Sequence, residues 1–302
     1  MRIISLLPSA TEILYLLSSG ERIVGISHEC DYPEDVKVKP VVTNTIINTN
    51  NPSLKIDQEV SKFLKIDQSI YTIDKNKFIS LKPDLVITQK LCEVCAITPT
   101  DIQQAIRDCD PTPEILTLHP HSIEEILGDI LKVGEKIDKK RKAGEEVKKL
   151  RQKMEDIKIK TKDLKKLKVY CMEWLDPPYN GGHWVPEQVE IAGGVDEIST
   201  KGIDSVRLLW KQIIDYDPEV LILMPCGFSI ERTKKELSTL ENNSSYKKLS
   251  AVKNKQVYLV NGPAYFNCSG PRVIDGIELL AEILHPEIFQ NKFNAKDLQK
   301  LY

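Results

Sequence analysis

The sequence has no long apolar run and almost no net charge. No part of its 302 residues approaches the roughly 18–20 consecutive apolar residues that a membrane-spanning helix requires. The chain is therefore predicted not to be embedded in a membrane. Lys and Arg total 42, and Asp and Glu total 44, which leaves a formal charge of -2. Because nucleic-acid binding needs a strongly basic surface, this balance predicts no nucleic-acid partner.

The first residues also lack the pattern of a secretory signal. Met1 and Arg2 are followed at once by the short apolar run 3–7 and then by Pro8, which is too short for the apolar part of a signal peptide. We therefore expect residues 3–7 to be the first strand of the fold and the protein to be cytoplasmic. In that compartment the seven cysteines, an odd number, are expected to be reduced thiols rather than disulfides.

Motifs of the common enzyme classes are missing as well. The patterns GxSxG, Walker A, GxGxxG and HExxH do not occur, so we predict that the protein is not an enzyme. One alternative stays open. A cysteine nucleophile with His28 or His183 as its base would make the protein a thiol-dependent enzyme.

Short apolar runs alternate with amphipathic segments along the whole chain, which is typical of α/β proteins with mainly parallel sheets. Residues 84–88 and 220–224 are apolar runs that indicate buried strands, and each follows a polar turn that contains Pro83 or Pro218. Because this pattern occurs once in each half, the sequence predicts two similar Rossmann-like lobes.

Residues 122–160 carry the pattern of one long helix that joins the lobes. Apolar residues recur at close to the helical period from Ile123 to Met154. A helix that ran unbroken to about residue 158 would be roughly 50 Å long at ~1.5 Å per residue, although Gly134 and Gly144 leave a bend or break open. The predicted division is an N-terminal lobe at 1–121, the connecting helix at 122–160, a C-terminal lobe at 161–289 and a loosely held polar tail at 290–302.

Chemically unusual side chains follow the predicted strands repeatedly. In open parallel sheets, ligands bind beyond the carboxyl ends of the strands, so we take these residues as candidate ligand contacts. They are His28, Tyr32, Glu173, Trp174, His183, Trp184, Tyr265 and Phe266.

Two kinds of ligand fit these residues. A flat aromatic or corrin-like molecule would use Tyr32, Trp174, Trp184, Tyr265 and Phe266 as walls. A bare zinc, iron or cobalt ion would instead use imidazoles together with thiolates, and the candidate thiols are Cys30, Cys92, Cys95, Cys226 and Cys268. The CxxC pair at 92 and 95 has the spacing of half a zinc site, but no second CxxC occurs in the chain, so packing is the alternative role of these cysteines.

Six stretches make the sequence similar to a known family. On these stretches it resembles the class III, helical-hinge periplasmic-binding-protein superfamily, and in particular its branch of cobalamin-binding ABC-transporter substrate-binding proteins. The stretches are residues 2–12 (RIISLLPSATE), 24–33 (VGISHECDYP), 83–96 (PDLVITQKLCEVCA), 173–194 (EWLDPPYNGGHWVPEQVEIAGG), 223–233 (LMPCGFSIERT) and 257–286.

The resemblance implies that a corrinoid (cobalamin-like) or iron-chelate ligand is held in a cleft between two lobes. It also implies delivery of that ligand to an ABC permease with its ATPase, whereas a cytoplasmic location favours intracellular corrinoid handling. The shared opening stretch adds Pro8 and Ser9 to the ligand-binding candidates, and His28 or His183 is the expected lower axial ligand if the ligand carries cobalt.

Overall fold

The computed structural model describes residues 1–66, 69–89, 99–290 and 292–302. The backbone divides into two compact units, each described separately here. Unit 1 comprises Met1–Asn51, Gln58–Pro120 and Glu124–Lys148, and unit 2 comprises Pro52–Asp57, His121–Ile123 and Lys149–Tyr302. The segment 122–160 is therefore shared between the two units.

Unit 1 is built on a four-stranded parallel sheet. The strands of unit 1, which include a separate two-stranded pair, are in chain order β1 (Ile3–Ser5), β2 (Ile23–Ile26), β3 (Thr43–Thr45), β4 (Tyr71–Ile73), β5 (Leu85–Gln89) and β6 (Glu114–Leu118). The main sheet has the order β2-β1-β5-β6 with parallel pairing throughout, and β3 pairs with β4 antiparallel. All of β1 and the first four residues of β5 are buried, as expected where a parallel sheet is covered on both faces.

The helices that begin before residue 149 are α1 (Pro8–Leu16), α2 (Ser53–Lys65), α3 (Lys75–Ser80), α4 (Pro99–Ile106), α5 (Ile123–Lys136) and α6 (Lys140–Thr161). Helix α1 begins at Pro8, directly after the buried run of β1, with proline in its first turn. Proline suits this position because its missing N–H would have no helical partner. The N-cap is Leu7, and the Ser9 side chain is buried within the helix.

The prediction of one long helix over 122–160 is wrong. The segment forms two helices, α5 and α6, and the residue Asp138 between them adopts a left-handed conformation with φ 59°. A Cβ added at Gly134 in α5 would lie 2.4 Å from the Cβ of Ala143 in α6. The absence of a side chain at Gly134 thus lets the start of α6 pack closely against α5, which a continuous straight helix could not do.

Unit 2 is built on a larger mixed sheet. Its strands are β7 (Leu167–Trp174), β8 (Tyr179–Asn180), β9 (Gly194–Val195), β10 (Val220–Leu223), β11 (Val257–Val260) and β12 (Leu298–Lys300). The order is β12-β11-β10-β7-β8, and β9 pairs with β7. The central pairs β7–β10 and β10–β11 are parallel, so the unit keeps the α/β character that the apolar runs predict.

The remaining helices surround this sheet. They are α7 (Val185–Ile191), α8 (Trp210–Tyr216), α9 (Ile230–Lys234), α10 (Leu237–Glu241), α11 (Ser250–Lys253), α12 (Gly262–Tyr265) and α13 (Val273–Leu284). One side of the sheet buries Tyr170, Met172, Leu221 and Leu223 in the core, and Trp210 packs against this cluster. In the part of the chain that the structure describes, no helix is long and apolar enough to cross a bilayer.

The last residues are not a loosely held tail, contrary to expectation. Strand β12 pairs antiparallel with β11 at the edge of the sheet. Leu301 packs against the core of unit 2, and the hydroxyl oxygen of Tyr302 lies 3.3 Å from that of Tyr246. These backbone and side-chain contacts anchor a segment whose polar composition alone predicts little order.

Candidate functional site

In unit 1 the candidate residues follow β1 and β2, as the sequence predicts. Pro8 and Ser9 open α1 directly after β1, and His28, Cys30 and Tyr32 lie in the loop after β2. Because β1 and β2 are parallel neighbours, both loops leave the same edge of the sheet. Tyr32 is 49% exposed, so its ring is available to a ligand.

Among the polar groups at this edge of the sheet, His28 has the side chain most suited to bind a metal or a ligand. Its Nδ1 lies 2.7 Å from Thr43 Oγ1, which also accepts a hydrogen bond from the His28 backbone N–H and donates one to Ser27 Oγ. Since that hydroxyl proton is used on Ser27, the network favours the tautomer with the proton on Nδ1 and the lone pair on Nε2. Burial lowers the pKa of His28 below its ordinary value of 6.5, so the imidazole is neutral at pH 7.

Cys30 is less suited to the metal role predicted for it. Its side chain is buried, and its sulfur lies 3.2 Å from the Thr11 hydroxyl. Burial raises the pKa of the Cys30 thiol to about 12, against a smaller opposing effect of the hydrogen bond from Thr11. Because the thiolate is the form that binds metals and attacks substrates, this environment favours a packed, protonated thiol.

In unit 2 the strands again deliver candidate residues beyond their carboxyl ends. Trp174 ends β7 and is partly exposed; its indole N–H donates to the Ser53 carbonyl over 3.2 Å. The centroid of its ring lies 5.1 Å from that of Phe228, which follows β10. The Arg232 guanidinium lies over the Phe228 ring, 4.3 Å from its centroid. Trp174, Phe228 and Arg232 form what we call the aromatic group of unit 2.

A partly buried ion pair anchors this group. Arg232 pairs with Glu236, whose carboxylate also accepts the backbone N–H of Ser53 over 2.9 Å. Glu236 is itself buried. These contacts connect Ser53, the first residue of α2, to Glu236 and, through Glu236, to Arg232 of α9. They hold in place the Ser53 carbonyl that accepts the hydrogen bond of the Trp174 indole.

Glu173 lies beside this group and has an unusual environment. Its carboxylate accepts the Gly182 backbone N–H over 3.0 Å, and its carbonyl accepts the Cys226 N–H over 3.0 Å. Burial raises the pKa of Glu173 to about 7; the Gly182 N–H opposes this shift, and Asp204 adds to it. The side chain therefore exchanges a proton near neutral pH, where a small change in surroundings alters its charge.

His183 lies in the loop before α7 with φ 53°, a left-handed conformation. Its ring stacks on Trp184 at 5.5 Å between centroids and lies 5.7 Å from the ring of His121. Its Nδ1 is 3.5 Å from Asp204 Oδ1. His121 and Asp204 are thus part of the neighbourhood of His183, although neither was predicted as a site residue.

The burial of Trp184 and Phe266 contradicts their predicted role as ligand walls. Both side chains are 1% exposed, and the Trp184 indole donates to the Phe266 carbonyl over 2.9 Å. Their rings contribute to the interior of unit 2 instead. Tyr265 remains partly exposed, with its hydroxyl donating to Asp297 over 2.8 Å and Arg272 5.9 Å from its ring centroid.

The predicted cysteine set does not come together as a metal centre among the residues that the structure describes. Cys92 and Cys95 lie outside those residues. Cys226 is partly exposed and Cys268 is buried, and neither belongs to a described group of three or more His, Cys, Asp or Glu side chains with metal-ligand spacing. The one such group in the described ranges is His121, His183 and Asp204.

Two α/β units, one with a parallel sheet and one with a mixed sheet, carry polar and aromatic side chains at the carboxyl ends of their strands, as a ligand-binding protein of the periplasmic-binding-protein class does. A family model described as "Periplasmic binding protein" matches residues 3–264, and the chain belongs to this family. The resemblance of the sequence to this superfamily is thereby confirmed.

Three relatives illustrate the family. An uncharacterized ABC transporter substrate-binding lipoprotein of Bacillus subtilis, YvrC, is 27% identical over 296 residues, which cover 96% of this chain and 81% of the relative. The periplasmic vitamin B12-binding protein BtuF of Vibrio cholerae superposes with TM-score 0.66 at 21% identity, covering 96% and 98% of the two chains. A periplasmic heme-binding protein of Pseudomonas aeruginosa superposes with TM-score 0.72 at 15% identity, and the match covers 98% of this chain and 96% of that protein. The last two similarities show the shared fold.

Proposed function

We propose that this protein binds a corrinoid or an iron chelate such as heme, with the aromatic group of unit 2 as a principal contact. Relatives of the same fold bind vitamin B12 or heme. These two ligands share a broad flat ring around a metal. A protein that takes either one needs a fixed aromatic surface and an accessible metal ligand or polar group.

The observation that carries the proposal is the fixed, partly exposed ring of Trp174. Its indole N–H is held by the Ser53 carbonyl, and one side of the ring contacts Phe228. A ring that is oriented before the ligand arrives loses little conformational entropy on binding. Its apolar area also suits the edge or face of a tetrapyrrole-like ligand.

His28 of unit 1 is the proposed ligand to the metal of such a chelate. Burial favours the neutral imidazole, and the hydrogen bonds of Thr43 favour the tautomer whose lone pair is on Nε2. Neutral imidazole nitrogen is a good ligand for cobalt and iron. Tyr32, in the same loop, supplies an exposed ring for further contact.

We further propose that the bound chelate is passed to an ABC permease and its ATPase. Support comes from the Bacillus subtilis relative, which is described as an ABC transporter substrate-binding lipoprotein. A lipoprotein relative conflicts with the cytoplasmic location expected from the sequence. Fractionation of cells that carry the full-length gene decides between delivery to a permease and intracellular handling of the chelate.

Tryptophan fluorescence and visible absorption together test the proposed ligand. Aquacobalamin and hemin are titrated separately into the full chain, and the expected result is saturable quenching with a shifted visible spectrum. Trp174→Ala should weaken binding of the preferred chelate at least about tenfold, the loss of one good aromatic contact. His28→Ala should remove the spectral shift while quenching persists.

The matched control is Trp210→Phe, because Trp210 packs against the core of unit 2 on α8. This variant should bind as the unmodified chain does. Equal losses in both tryptophan variants, or no saturable binding of either chelate, would overturn the proposal.

A further inference from the structure

We infer that His121, His183 and Asp204 form a binding site in unit 2 for a divalent transition metal of the zinc type. One ligand atom from each side chain lies within 4.8 Å of the other two. The three residues come from separate segments: the residues before α5, the loop before α7, and the loop after β9. This site is independent of the chelate-binding function proposed above.

The distances match what a small metal ion requires. Ligand atoms about 2.0–2.1 Å from zinc in a tetrahedron are roughly 3.3 Å apart. His183 Nδ1 and Asp204 Oδ1 are already 3.5 Å apart. All three candidate ligand atoms lie within 4.8 Å of one another, so closure around an ion would shorten their separations by no more than about 1.5 Å.

The backbone keeps the loops of His183 and Asp204 together. The His183 N–H donates to the Ile203 carbonyl over 2.7 Å, and the Gly202 N–H donates to the His183 carbonyl over 2.8 Å. These two hydrogen bonds hold His183 in its left-handed conformation, φ 53°. An uncommon conformation that is fixed from both sides is typical of a functional position.

His121 is held at the third corner by its own segment. Two residues further on, the Ile123 N–H donates to the Glu187 carboxylate of α7 over 3.0 Å. This bond ties the start of α5 to the helix that follows His183. The two imidazole rings thereby lie 5.7 Å apart with a tilt of 55°, so their nitrogens can face one ion without stacking of the rings.

The donor set selects the class of metal. Two imidazoles and one carboxylate suit zinc, cobalt and nickel, whereas magnesium and calcium prefer oxygen ligands alone. The His183 side chain is 12% exposed, and that of Asp204 is 57% exposed. An ion therefore has access from the Asp204 side, and three protein ligands leave a fourth position for water or for a donor atom of a small molecule.

Cobalt(II) is the probe for this site because its visible absorption reports the ligand type. The full chain, stripped of metal with a chelator, is titrated with Co²⁺ and then with Zn²⁺ as competitor. We expect one Co²⁺ per chain, with visible ligand-field bands but without the near-ultraviolet charge-transfer band that a thiolate produces. Zn²⁺ should displace the cobalt.

Two variants and one control test the ligands. His183→Asn keeps a residue that tolerates the left-handed conformation, and Asp204→Asn changes an exposed side chain, so both should fold. Each should weaken Co²⁺ binding at least about 100-fold. The matched control is His119→Ala, which removes an exposed imidazole two residues before His121 and should leave the affinity unchanged.

Unchanged affinity in His183→Asn, a thiolate charge-transfer band, or no one-to-one binding below millimolar Co²⁺ would each overturn the inference. In those cases His183 and Asp204 form an ion pair only. Chelate binding through Trp174 is measured separately, so the failure of one proposal does not conceal the failure of the other.

Discussion

Gly182 and Ser205 are packed so closely that a Cβ added at Gly182 would lie 2.3 Å from the Ser205 backbone nitrogen. The nearest atoms are all backbone, so no side chain can rotate away to make room. This approach places the loop that carries His183 against the loop that carries Asp204, and it also brings the Gly182 N–H to the Glu173 carboxylate.

Gly182→Ala should therefore destabilise the protein. The added methyl forces the two loops apart, and overpacking of this kind costs about 1–3 kcal/mol. Urea unfolding followed by circular dichroism measures the change in the free energy of unfolding. The control is Gly128→Ala in α5, where a Cβ meets nothing within 4 Å and alanine should instead stabilise the helix by ~0.5–1 kcal/mol. Similar effects of the two variants would contradict the tight loop contact.

The raised pKa of Glu173 predicts a pH dependence of stability. Between the ordinary value of 4.5 and about 7, the folded protein retains a proton that the unfolded chain has released. Stability is then greatest below pH 4.5 as far as this group is concerned, and it falls as pH rises through that interval. Asp196, whose pKa burial raises to about 6, acts in the same direction over a lower range.

Glu173→Gln should remove the decline in stability between pH 6 and 7, because the amide cannot ionise. Melting temperatures of metal-free protein measured across this range test the prediction. Asp196→Asn serves as the comparison, since it should flatten the curve mainly below pH 6. A slope between pH 6 and 7 that Glu173→Gln leaves unaltered would show that Glu173 titrates normally.

The ion pair beneath the aromatic group should be important for the stability of unit 2. Glu236→Ala leaves the Ser53 N–H and the Arg232 guanidinium, which is 19% exposed, without their carboxylate. We expect a loss of about 2–4 kcal/mol. All three tryptophans lie in unit 2, so fluorescence during urea unfolding reports on this unit.

The matched variant is Glu231→Ala on α9, the helix that carries Arg232. Glu231 pairs with Lys234 at the surface, where its side chain is 73% exposed, and such pairs contribute little to stability. Its unfolding midpoint should match that of the unmodified chain. Comparable losses in both variants would mean that Glu236 is no more important than a surface carboxylate.

Thiol reactivity should distinguish Cys30 from Cys226. Cys30 is buried with a raised pKa, while Cys226 is partly exposed beyond β10. Alkylation by iodoacetamide at pH 8, followed by peptide mass spectrometry, should modify Cys30 roughly 100-fold more slowly than Cys226. Equal rates in the folded protein would show that the Cys30 environment is open. Urea should abolish the difference, which confirms that the fold protects the thiol.

The strands and their carboxyl-end loops could be predicted because apolar runs are a local signal. The apolar residues 85–87 and 220–223 are buried in the two sheets, and their sequence pattern therefore also locates the loops that follow them. Gly134 and Gly144 leave a bend or break open in the sequence, but the position of the break between α5 and α6 depends on the contact of Gly134 with Ala143, which is not a local signal. Likewise, the polar composition of 290–302 does not indicate that Leu298–Lys300 pairs with β11.

The candidate site was predictable only in part. Trp174 ends β7 and His28 follows β2, close to where the sequence predicts them. Trp184, in contrast, is buried, and its indole N–H donates to the Phe266 carbonyl, which no sequence spacing reveals. His121 and Asp204 are 62 and 21 residues from His183 in sequence (183 − 121 and 204 − 183). Their proximity follows from loop packing, so it becomes visible only in the folded chain.

Thermal unfolding with a panel of chelates tests the central claim most directly. The full chain is melted alone and with aquacobalamin, hemin or a ferric siderophore at about 100 times the dissociation constant measured by fluorescence. A true ligand should then add ~2.7 kcal/mol of stability and raise the melting temperature by several degrees, and Trp174→Ala should lose most of that gain. No shift with any chelate, or a shift that Trp174→Ala retains in full, would contradict chelate binding at the aromatic group.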